Sequence, residues 1–139
     1  MSEDTSRNVL AELEAFEAAA FRVGQLARRL RTDHPDLPVQ TMLPTVWALA
    51  SSAGPDVHAE LEIHCDSVDG AHACAAVLGV EATVTIAGSG YERAAAKAVV
   101  NGIKVKVSGT RSLTGDEYRA WRAEQDQAAA EAETAGGAQ

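Results

Sequence analysis

VHAELEIHC (residues 57–65) and, further on, AAAKAVVNGIKVKVSG (94–109) decide how this chain folds. In the first, Val57, Ala59, Leu61, Ile63 and Cys65 alternate with His58, Glu60, Glu62 and His64. Successive side chains of a strand point to opposite faces, so this pattern predicts a half-buried strand, apolar on one side and polar on the other. In the second, Asn101-Gly102 separates two alternating runs. Both residues accept positive φ, and a two-residue type I′ turn is expected. Such a turn sets the register: Val100 opposite Ile103, Ala98 opposite Val105 and Ala96 opposite Val107, all on an apolar face. Lys97 then lies across from Lys106 on the other face.

Working outward, Asp66 or Ser67 is placed to cap a short helix that runs through Leu78 and ends at Gly79. Its inward stripe is Val68, Ala71, Ala75 and Leu78. Residues 80–87 alternate again, and Gly88-Ser89-Gly90 turns the chain into the strand that begins at Tyr91. Earlier in the chain, residues 1–8 are expected to be disordered and 9–32 to form an amphipathic helix. Val9, Leu13, Phe16, Ala20, Val23, Ala27 and Leu30 follow a heptad rhythm. Glutamates early in this helix and arginines late complement its dipole. Pro35, Pro38 and Pro44 make residues 33–44 a linker into a strand over 45–51, followed by a turn at 52–56. At the other end, Thr114 and Glu117 have the spacing of a capping box. The helix they open carries Tyr118 and Trp121 on one side. From 125 to 139 its apolar pattern fades into an acidic tail expected to be disordered.

The fold expected is α+β, with the domain proper at 45–124. A sheet of about five mostly antiparallel strands carries one short helix, flanked by long amino- and carboxy-terminal helices in the order α-β-β-α-β-β-β-α. At 139 residues the chain suits a single domain. Hydrophobic residues at 46% with aromatics at only 4% point to a core of Val, Leu, Ile and Ala. The net charge of −8 disfavours general nucleic-acid binding, which needs clustered cations to neutralise phosphates. A nucleic-acid surface would need Arg93, Lys97, Lys104 and Lys106 in an uninterrupted strip, rather than paired with Glu60 and Glu62. Two cysteines do not make a disulfide framework. The polar start MSEDTSRNVL lacks the apolar core of a signal peptide, and no apolar run reaches bilayer length. A cytoplasmic location with reduced thiols and no membrane contact is expected.

The one set of ligand-type residues is His58, Glu60, Glu62 and His64. Alternate strand residues lie about 7 Å apart, so the two histidines are about 20 Å from each other and all four cannot hold one ion. An adjacent pair could chelate if further ligands, such as Glu81, joined it. The competing reading is a solvated sheet face on which Glu60 and Glu62 meet Lys97, Lys104 and Lys106. Gly88-Ser89-Gly90 is followed by a strand, whereas a dinucleotide loop opens a helix. Neither Cys74 with His72 nor Asp66, Asp69 and His72 assembles nucleophile, base and orienting group. No catalytic residue and no cofactor are expected.

The strand HAELEIH (58–64), the helix DSVDGAHACAAVLG (66–79) and the strand NGIKVKVSG (101–109) resemble a loose group of small uncharacterised proteins of high-GC actinomycete genomes and their phages. The resemblance covers residues 47–109. It implies the same fold and an accessory or mobile-element context, and it carries over no site residues. The leading functional expectation is a non-enzymatic accessory or protein-interaction protein. It would act as a homodimer or with another protein through Leu13, Phe16, Val23 and Leu30 of the first helix. The alternative is a small-ligand or metal-binding module on the polar face of strand 57–65, and the third an enzyme of unrecognised type.

Overall fold

The computed structural model describes residues 2–49 and 56–137. In chain order they form α1 (Ser2–Asp33), β1 (Val39–Leu49), β2 (Asp56–Cys65), α2 (Val68–Val77), β3 (Thr83–Ala87), β4 (Tyr91–Val100), β5 (Ile103–Ser112) and α3 (Gly115–Gly137). The α+β order is as expected. The strands make one sheet in the order β1-β2-β5-β4-β3, antiparallel throughout except where β2 runs parallel to β5. A parallel neighbour needs a crossover connection, and here that connection carries α2, β3 and β4.

The last hairpin has the predicted register, with Val100 opposite Ile103, Ala98 opposite Val105, Ala96 opposite Val107 and Lys97 opposite Lys106. Its turn residues, Asn101 at φ 51° and Gly102 at φ 80°, occupy the positive-φ region that a type I′ turn requires. Ser67 is the N-cap of α2, its side chain accepting from the Gly70 N–H at 2.9 Å. Thr114 and Glu117 form the capping box: Glu117 N–H donates to Thr114 Oγ1, and Thr114 N–H donates to Glu117 Oε1. Arg111 bridges Glu117 and Glu92, and the guanidinium holds the Glu117 carboxyl down at about 2.

Four boundaries differ from those expected. β1 starts at Val39, so the linker shrinks to residues 34–38 and Pro44 falls within a strand, opposite Leu61. Proline is tolerated there because β1 is a sheet edge, where alternate N–H groups point away from the ladder. α1 starts at Ser2 rather than Val9. β3 is shorter than 80–87. α3 continues to Gly137 instead of fading at 125, since its Ala, Gln and Glu residues are strong helix formers even without an apolar face. Residues 50–55, which hold the end of the predicted first strand and most of the predicted turn at 52–56, lie outside the described residues, as do Met1 and the last two residues.

One face of the sheet is covered. α1 packs over β1 and β2, and α2 over β5 and β4. Leu61, Ile63, Val105 and Val107 from the central strands meet Val23 of α1 and Ala71, Cys74 and Ala75 of α2 in a single core. Gly109 lets β5 run close under the start of α2, where a Cβ would collide with the Ser67 carbonyl. Cys65 and Cys74 are both free and buried, and burial pushes the Cys65 thiol up to about 12. Both are inert core side chains at neutral pH.

α1 is not covered along its whole length. Ala19, Val23 and Leu30 are buried, with Leu26 and Ala27 packed against the core. The same heptad stripe continues toward the amino end through Phe16, Leu13 and Val9, which are 40%, 53% and 51% exposed. Ala19 takes the buried place expected of Ala20. A 32-residue helix is about 48 Å long and a ten-residue strand about 33 Å, so α1 overhangs the sheet it packs on.

Candidate functional site on the open sheet face

Among the described residues no helix covers the second face, and strand register sets the cross-strand neighbours on it. Across β1, β2, β5 and β4, one row runs Thr45, Glu60, Lys104 and Val99, and the next Leu43, Glu62, Lys106 and Lys97. A third runs from Thr41 through His64, Ser108 and Ala95 to Thr83 on β3. Strand alternation places every one of these on the face opposite Leu61 and Val105.

The four candidate metal ligands are dispersed among separate partners. His58 stacks on Trp47, ring centroids 5.4 Å apart and planes 18° from parallel. Its Nε2 lies 3.0 Å from Asp56 Oδ1 but out of hydrogen-bonding alignment, which leaves that nitrogen without a bond. Glu60 pairs with Lys106 at 2.8 Å, and this carboxylate raises the lysine's pKa. Glu62 lies 3.4 Å from His64 Nε2. Among the described residues no three His, Cys, Asp or Glu side chains converge on a point that could hold a metal ion. Of the two expected acid–lysine pairings one is present and one is not: Glu60 meets Lys106, whereas Glu62 turns to His64. Because Glu60 takes Lys106, the four cations of this face do not form an uninterrupted strip.

The sequence alone does not single out Ser108. Its Oγ lies 3.2 Å from His64 Nδ1, so serine, imidazole and Glu62 stand in line. The order suggests a nucleophile, base and orienting acid, but catalysis of that type also needs N–H donors aimed at a developing oxyanion. Ser108 sits inside β5 with strands on both sides, and the neighbouring backbone donors serve the ladder. The line is a cross-strand hydrogen bond. Only the parallel pairing of β2 with β5 creates it, and no local signal in the sequence announces that pairing.

Along this third row lies a trough of about 440 Å³. Ala95, Ser108, Thr83 and His64 line it, Arg93, Lys97 and Lys106 contribute cations, and Glu62 and Glu81 contribute acids. The contact residues proposed on α1 divide. Val23 and Leu30 are core, so they are not available to a partner, while Leu13 and Phe16 are exposed. Among the described residues, no helix is long and apolar enough to cross a membrane. Comparison of the chain with protein-family models, with curated proteins and with solved structures finds no match.

Proposed function

We propose that the protein is a non-enzymatic interaction protein that pairs with a second copy of itself through α1. One observation carries this reading: a single heptad stripe is buried at Val23 and Leu30, yet at Val9, Leu13 and Phe16 it runs on exposed, uncovered by any of the described residues. A half-helix with an uncovered apolar stripe gains most of its stability from whatever packs on that stripe.

Charge favours a second copy as the occupant. The exposed amino-terminal part carries Glu12, Glu14 and Glu17, whereas the outer side of the docked part carries Arg28 and Arg29. That outer side also holds a groove beside Ala20, Phe21 and Gly24, with Phe21 67% exposed. Two α1 helices laid antiparallel about Ala20 bring the acidic segment of each onto the basic groove of the other. Such an arrangement is two-fold symmetric, the commonest form of homo-oligomer. Ala20 and Gly24 at its centre allow close approach.

Sedimentation equilibrium tests it. The expected result is a dimer that Leu13→Glu with Phe16→Glu converts to a folded monomer, and that Glu12→Arg with Glu17→Arg weakens. A wild-type protein that stays monomeric at the highest attainable concentration would overturn the reading.

A further inference from the structure

We infer that the trough over Ala95 is a binding site for a small molecule carrying an oxyanion group, phosphate or carboxylate. The inference rests on the open face alone and is independent of α1. Ala95 has only a methyl group, and its register neighbours are the hydroxyl residues Ser108 on β5 and Thr83 on β3. Along β4 the same-face neighbours are Arg93 on one side and Lys97 on the other, each about 7 Å from Ala95. A gap two hydroxyl residues wide is therefore bracketed by two cations long enough to lean over it. Among the described residues neither Arg93 nor Lys97 makes an ion pair, whereas Lys106 is taken by Glu60 and Arg111 by Glu92 and Glu117.

A second feature points the same way. Lys97 lies directly opposite Lys106, and like charges in facing positions destabilise a sheet. Glu60 offsets the charge of Lys106, and an anion seated between Arg93 and Lys97 supplies the counter-charge for the other lysine of the pair. The acids limit what can enter. Glu62 and Glu81 line the same trough, which suits one oxyanion and repels the repeated phosphates of a nucleic acid. A volume of about 440 Å³ falls within the range of small-ligand sites.

The test is a two-dimensional amide NMR titration of the intact protein with inorganic phosphate and, separately, with acetate, against chloride at matched ionic strength. Saturable shifts at Thr83, Ala95 and Ser108 are expected with phosphate, acetate or both, and whichever saturates at lower concentration names the preferred group. Arg93→Ala and Lys97→Ala should each weaken binding at least tenfold. Ala95→Glu places a tethered carboxylate in the gap and should abolish binding while keeping or raising the melting temperature. It therefore decides the matter even if one of the other variants folds poorly. Shifts that follow ionic strength alone, binding unchanged in Ala95→Glu, or tighter binding of a single-stranded oligonucleotide than of phosphate would each overturn the inference.

Discussion

The two faces of the sheet are made from the same strands read alternately, and they differ in almost every property. On β2, Leu61 and Ile63 are fully buried under α1 and α2, while the alternate residues find partners sideways, Glu62 and His64 half-exposed and Glu60 largely covered by its pairing with Lys106. On β5, Ile103, Val105 and Val107 join the core and Lys104, Lys106 and Ser108 face outward. The covered face is specified by volume and water exclusion, which punish any change. The open face is specified by which charges happen to be neighbours, which costs little to alter. Packing constrains the covered face far more tightly than the open one.

The sharpest way to break this contrast is to truncate the covered face. Leu61→Ala or Ile63→Ala should each cost about 2–5 kcal/mol, because the apolar contacts are lost and a cavity is left behind. Denaturant unfolding measures it, and a loss no larger than that of an open-face variant would refute the assignment of faces.

A smaller effect is expected where the two faces are kept in phase. Gly102→Val forces a β-branched residue to a φ near +80° and should cost about 1–3 kcal/mol. A slip of one residue in this hairpin would turn Val105 and Val107 outward and Lys104 and Lys106 into the core. An unchanged melting midpoint would mean that the turn does not hold the register.

The smallest effect belongs to the open face itself. His58→Ala and His64→Ala should each change stability by about 0.5 kcal/mol or less, as surface substitutions do. If either destabilised as much as Leu61→Ala, or if zinc raised the melting temperature of the parent but not of these variants, the histidines would be structural or ligating after all.

Much of this molecule is legible in its sequence because the features concerned are local. Alternation in 57–65, the Asn101-Gly102 turn with its ladder, the Ser67 cap and the Thr114–Glu117 box each depend on residues a few positions apart. Their geometry is decided by backbone sterics and short-range hydrogen bonds, whatever the rest of the chain does. The element order and the two faces of β2 and of the last hairpin follow from these. What only the tertiary structure decided is long-range. An alternating strand can accept several neighbours, and packing under α1 and α2 chose β5 as the parallel partner of β2. That choice sets His64 beside Ser108 and extends the row to Ala95 and Thr83, so the candidate site exists only once the strands are ordered. The same ordering put β1 at the edge, where Pro44 does no harm. It also divided α1: the heptad stripe is continuous in sequence, but the helix is longer than the sheet beneath it, so Val23 and Leu30 are buried while Leu13 and Phe16 are left uncovered.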